Sequence, residues 1–89
     1  MILQIFAVND TKAETFGRPV FQTNVGEALR AFSDECNNVQ SLLHSYPEDF
    51  HIYKLGEYDQ STGLFSTIPP AHIASALDFH KPTTQANNE

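Results

Sequence analysis

Short apolar runs and polar stops alternate along this chain, and the spacing of the apolar positions changes from segment to segment. Ile2-Leu3-Gln4-Ile5-Phe6-Ala7-Val8 is nearly all apolar and rich in β-favouring residues. So short and so apolar a run predicts a strand buried on both faces, at the centre of a sheet. Asn9-Asp10-Thr11-Lys12 then supplies a polar turn. Ala13–Arg18 reads either as a loop with Phe16 tucked in or as a short turn. Pro19-Val20-Phe21-Gln22 predicts a second, short strand. Pro19 cannot donate a ladder hydrogen bond, which suits a strand start or an edge.

Further on, the apolar spacing lengthens. Val25, Ala28, Leu29, Phe32 and Cys36 form one stripe at helical spacing, with Glu27, Arg30, Asp34 and Glu35 off it. Asn24 is placed to cap this helix, and Glu27 three residues on completes a capping box. Glu27 and Arg30 are spaced for an i,i+3 ion pair. Asn37-Asn38 ends the helix, because Asn tolerates the left-handed position that often follows one. Val39, Leu42, Leu43 and Tyr46 repeat the helical spacing and predict a further turn or two, stopped by Pro47. Glu48-Asp49 is a polar corner.

Phe50–Tyr58 returns to a period of two and predicts a central strand. Phe50, Ile52 and Lys54 point one way, and His51, Tyr53 and Leu55 the other. Asp59–Gly63 suits a type I turn closed by Gly63 at positive φ. Leu64–Ile68 is the returning strand, ended by Pro69-Pro70. Ala71–Phe79 reads as a short helix with Ile73, Ala76 and Leu77 inward, an edge strand being the alternative. His80–Glu89 has no apolar residue except Ala86 and predicts a flexible, disordered tail. The order β-β-α-(α)-β-β-(α) describes one α+β domain over residues 1–79. It is a small antiparallel sheet of about four strands with one main helix packed on one face, followed by the tail at 80–89.

The totals narrow the chemistry. Eighty-nine residues with seven Phe and three Tyr build one modest core. No run approaches the ~18 apolar residues of a membrane span. The apolar start has no basic flank and no small-residue cleavage site, so a soluble intracellular protein without a membrane role is expected. The single Cys36 excludes an intrachain disulfide. It lies on the apolar stripe beside Asp34 and Glu35, which predicts a buried thiol and not a reactive one. Net charge is −6, with only five Lys and Arg. Phosphate contacts by cations supply most non-specific nucleic-acid affinity, so a lone acidic domain is poorly suited to it. The balance favours a protein partner, or a homo-oligomer that gathers its few cations in one place.

Nothing in the sequence predicts an enzyme, and no catalytic residues are assigned. His44, His51, His72 and His80 show none of the close spacings of a zinc site, so no metal is expected. No Ser stands in a nucleophile context, and the four glycines are too scattered for a phosphate loop, so no cofactor is expected. One constellation points elsewhere. In Phe50-His51-Ile52-Tyr53-Lys54-Leu55-Gly56-Glu57-Tyr58, aromatic and basic residues interleave, with Lys54 between Tyr53 and Tyr58. Aromatics on a sheet are stacking platforms for unpaired bases. Lys12 and Arg18 could approach from the first connection. The competing reading makes Phe50, Ile52, Tyr53 and Leu55 core and half-core residues.

Several segments together resemble a known family. They are M-I-L-Q-I-F-A-V-N-D-T-K-A-E at the start, Q-T-N-V-G-E-A-L-R-A-F-S-D at Gln22–Asp34, Y-P-E-D-F-H-I-Y-K-L-G-E-Y-D at Tyr46–Asp59, and S-T-G-L-F after it. They are similar to a small nonstructural, DNA-associated protein of single-stranded DNA phages of the Microviridae, in the gokushovirus branch. The likeness covers about Met1 to Phe79. It implies a protein acting in the host bacterial cytoplasm. It implies a genome role like that of the small microvirus protein that moves replication to single-strand synthesis and packaging. No catalytic motif comes with it. Most matching residues look like fold determinants, and Arg30, off the apolar stripe, is the exception. The expectation is a non-enzymatic phage protein that engages single-stranded DNA or the replication and packaging complex as a homo-oligomer. Its contact residues are Lys12, Arg18, Arg30, Lys54, Tyr53 and Tyr58. The alternative is a module that binds a host or viral replication protein without touching DNA.

Overall fold

Strand β1 (Ile2–Asp10) is the axis of the fold in the computed structural model, which describes residues 1–81. It runs two residues further than its apolar stretch, taking Asn9 and Asp10 into the sheet, so the turn begins at Thr11. Antiparallel to it on one side lies β4 (Phe50–Asp59), which pairs in turn with β5 (Leu64–Ser75). On its other side β1 pairs with two short strands, β2 (Thr15–Phe16) near its end and β3 (Val20–Gln22) near its middle. Pro19 stands just before β3, where its missing N–H costs the ladder nothing. The segment 13–18, open between loop and turn in the sequence, thus contains a two-residue strand. Ile5, Phe6 and Ala7 are all buried, as a central strand requires.

Helix α1 (Val25–Cys36) packs on one face of this sheet. Its stripe performs as its spacing predicts. Ala28, Phe32 and Cys36 are buried, and Val25 and Leu29 pack against the same core. From the sheet that core takes Phe6, Phe50, Ile52 and Ala74. Asn24 caps the helix, its side chain accepting from the Glu27 amide at 2.9 Å. The bond runs one way, without the return contact of a capping box. Among the described residues the one ion pair is Lys54 Nζ to Glu57 Oε2 at 3.8 Å, so the Glu27–Arg30 pair expected from spacing is not formed.

The helix end differs from expectation too. Asn37 has φ −102° and is not left-handed. It stops the helix through its side chain. The amide nitrogen donates to the carbonyls of Ser33 and Phe79, and the amide oxygen accepts from the Lys81 backbone. One Asn thereby clasps the end of the described chain to the helix. His80 and Lys81, assigned to a free tail from the sequence, are held there, and His80 stacks near His44 with ring centroids 4.8 Å apart. The rest of the expected tail lies outside the described residues.

Of two further elements, one keeps to its expected length and the other is corrected. Helix α2 (Leu42–Ser45) is a single turn. Four residues present only one side chain to the core. Leu43 packs inward, while Val39, Leu42 and Tyr46 stay more than half exposed. Strand β5 does not stop at Pro69-Pro70 but passes through them to Ser75, so the edge-strand alternative holds for Ala71–Ser75, and a 3₁₀ turn at Ala76–Asp78 stands where the short helix was favoured. β5 is an edge strand, where prolines are tolerated. The hairpin between β4 and β5 forms as read, with Gly63 at φ +77° and its amide donating to the Asp59 carbonyl at 2.7 Å.

Candidate functional site

The helix covers one face of the sheet and leaves the other bare. Phe6 and Val8 belong to the helix-covered core. The alternate positions of β1, namely Leu3, Ile5, Ala7 and Asn9, therefore point to the other side. Their register partners complete that face. Tyr58 lies opposite Leu3, Gly56 and Phe21 opposite Ile5, Tyr53 opposite Ala7, and His51 and Phe16 opposite Asn9. From β5 come Phe65 opposite Tyr58 and His72 opposite Tyr53.

Plain alternation would not produce this collection. Tyr53 and Tyr58 are five residues apart, which places them on opposite faces of a regular strand. The β1–β4 register shifts by one residue at Ile5/Phe6, leaving Leu55 as the extra residue on β4. That bulge turns both tyrosines to the same side. Gly56 sits beside it at φ +150°, where a Cβ would collide with the Ser66 carbonyl oxygen. A second bulge makes Ile73 the extra residue between Ile52/Tyr53 and Ala74/His72. It turns His72 onto the bare face and leaves Ile73 against the core. Bulges are known devices for re-aiming side chains, and here two of them sort aromatic rings onto one surface.

The rings form two linked groups. Phe21 stands edge-on to Tyr58 and Phe65, at centroid distances of 5.8 and 6.2 Å, while Tyr58 and Phe65 are 4.8 Å apart. With Leu3 and Gly63 these three line an open hollow of about 510 Å³. Phe16 stands edge-on to Tyr53 at 5.5 Å, Tyr53 to His72 at 5.3 Å, and His72 reaches His51 at 5.2 Å. Edge-to-face geometry sets the positive rim of one ring on the negative face of the next, worth ~0.5–1.5 kcal/mol per pair. These rings shield Ile5 and Ala7 in place of a helix. They remain partly open themselves, with Phe16, Phe21 and Phe65 exposed by 40, 42 and 60%.

Charge is sorted the other way. The strand residues that carry charge, Asp10, Lys54, Glu57 and Asp59, all occupy positions of the helix side by register. The six contact residues expected from the sequence therefore separate. Tyr53 and Tyr58 lie on the bare face, one in each ring group. Lys54 lies on the opposite face, three-quarters buried and within 3.8 Å of Glu57. Lys12 is exposed in the β1–β2 turn beside Asp10, Glu48 and Asp49. Arg18 is exposed between β2 and β3, and Arg30 on the outer side of α1. No ion pair or hydrogen bond joins any two of these four cations to a common site among the described residues.

Sequence reasoning missed Phe16, Phe21, Phe65, His51 and His72 as members of this surface. The only signal was an aromatic in each of the short strands flanking the centre, and register alone could assign it a face. His44 and His51 do not converge. His44 Nδ1 lies 3.0 Å from the Cys36 carbonyl oxygen, whereas His51 meets His72. No three of His, Cys, Asp and Glu gather into a metal-holding group among the described residues. Cys36 is fully buried, and burial, with Glu35 beside it, pushes its thiol from 9.0 up to about 11. No described helix is long and apolar enough to cross a membrane.

Comparison with known proteins gives one match. A model of the Phage ORF5 protein family matches residues 3–79. No curated protein and no solved structure matches.

Proposed function

The chain belongs to the Phage ORF5 protein family, and from that premise we propose that it is a non-enzymatic phage protein whose bare aromatic face stacks unpaired bases of single-stranded DNA. The observation that supports this reading is the gathering of Phe16, Phe21, Tyr53, Tyr58 and Phe65 on one helix-free surface, with the bulge at Leu55 bringing the two tyrosines to the same side. Stacking on such rings is worth ~1–3 kcal/mol per base and tolerates any sequence. A protein that coats or hands over single strands needs that tolerance. The likeness of the sequence to gokushovirus nonstructural proteins supports a proposed activity in the host bacterial cytoplasm, at the switch to single-strand synthesis and packaging. A homo-oligomer would line up several such faces along one strand and bring Lys12, Arg18 and Arg30 of neighbouring copies near the backbone.

One observation favours a second reading. The bare face has no strand Lys or Arg, and the chain carries a net charge of −6. A neutral aromatic surface on an acidic protein also suits a host or viral replication protein, with no DNA contact. Anisotropy of a labelled single-stranded oligonucleotide, titrated at two salt concentrations, separates the two. Stacking predicts binding that Tyr53→Ala and Tyr58→Ala each weaken by about tenfold, within the value of one stacked base, and that salt reduces only modestly. Absence of binding at low salt rejects the DNA reading and leaves the protein partner.

A further inference from the structure

The bare face also brings together two histidines that are 21 residues apart in sequence. His51 Nδ1 and His72 Nε2 are 3.1 Å apart. In the free protein one ring donates and the other accepts, so the two nitrogens share a proton. When the donor ring shifts to its other tautomer, its proton moves to the far ring nitrogen and both facing nitrogens carry a lone pair. Metal–nitrogen bonds of about 2.0–2.1 Å at tetrahedral or square-planar angles set neighbouring ligand nitrogens about 2.8–3.4 Å apart. The observed separation falls inside that range, so the two nitrogens already stand at chelating distance.

We propose that His51 and His72 form a two-histidine site for a divalent transition ion of the zinc, nickel and copper class. Imidazole donors suit these ions, whereas magnesium and calcium prefer oxygen. Both ligands stand on paired strands of one antiparallel ladder. His51 is opposite Ser75, and His72 is opposite Tyr53. Tyr53 meets the His72 ring edge-on at 5.3 Å and fixes its plane. The bulge at Ile73 is what makes the site, since without it His72 would face the helix side. No strand Lys or Arg shares this face to repel a cation. Two protein nitrogens leave the remaining positions to water, so the ion sits at the surface and exchanges with solvent. This inference rests on the geometry of the pair and not on the DNA reading.

The test uses the whole chain and bare ions. Zinc chloride is titrated by calorimetry, and nickel chloride is followed by broadening of amide resonances. The expected result is one zinc per chain, with the amides of His51, Tyr53 and His72 broadened by nickel before others. His51→Ala and His72→Ala each weaken zinc binding by about tenfold or more, and His44→Ala changes it by less than about twofold. His72→Gln, at an exposed position of the edge strand, guards against a folding artefact. A His72→Gln protein with a native amide spectrum and undiminished zinc affinity overturns the proposal. Loss of binding in His44→Ala, or no saturable binding in the parent chain at several equivalents of ion, overturns it equally.

Discussion

The two faces of the sheet use the same residue type for opposite purposes. Phe6, Phe32 and Phe50 are 0, 4 and 8% exposed, locked between helix and sheet. Phe16, Phe21 and Phe65 are 40 to 60% exposed and touch mainly other rings. A ring removed from water on all sides contributes its full burial, whereas a half-open ring contributes part of it and leaves the rest to a ligand. Stability therefore resides on the helix side, and the bare side is the one our proposal assigns to recognition, with β1 serving both.

That division can be tested by substitution. The largest effect is expected from Phe32→Ala, which empties the helix-side core and costs about 3–5 kcal/mol in urea unfolding. If the loss is below about 1 kcal/mol, the helix does not hold the fold. Gly56→Ala strikes the seam between the faces. A methyl group there meets the Ser66 carbonyl at a backbone angle that L-residues avoid, and about 2–4 kcal/mol should be lost. Binding on the bare face should fall as well, because the bulge that aligns Tyr53 with Tyr58 is disturbed. Asn24→Ala removes the cap and should cost about 1 kcal/mol without affecting the bare face. Phe65→Ala should cost less than about 1 kcal/mol while weakening whatever ligand the face binds. A large stability loss there would erase the distinction between the faces.

Cys36 gives a pH-based version of the same test. Its folded thiol ionises near 11, against 9.0 in the unfolded chain. A group with a raised folded value stabilises the fold below its unfolded value, and that stability is lost as pH rises through the folded one. The urea midpoint should therefore fall between pH 9 and 11, and Cys36→Ala should lose that part of the slope. At neutral pH the thiol should resist alkylation until the chain unfolds.

Local features of the fold were legible in the sequence, and long-range ones were not. The α1 stripe, the Asn24 cap, the central β1 and the Gly63 hairpin depend on neighbours a few residues away. The bulges at Leu55 and Ile73 depend on which residue of another strand lies opposite, and no spacing rule records that. For this reason alternation set Tyr53 and Lys54 on opposite faces, as they are, while the return of Tyr58 to the face of Tyr53 was out of reach. The continuation of β5 through Pro69-Pro70 was hidden for the same reason. Two prolines end a strand unless it lies at an edge, and only the assembled sheet decides for the edge strand that the sequence left as an alternative. His51 and His72 escaped notice because β-pairing, and not sequence spacing, brings them together.

The prolines of β5 have a consequence for how copies of this chain can meet. An open sheet edge invites another strand to add to it, and that is the usual first step toward fibrils. Here Pro69-Pro70 interrupts the donor row of the long edge near its middle, while the opposite edge consists of strands of two and three residues. Neither side offers an unbroken row to copy. This phage protein can thus keep an exposed aromatic face with little risk of polymerising through its backbone, which leaves the face, and not the edge, as the surface on which copies could meet.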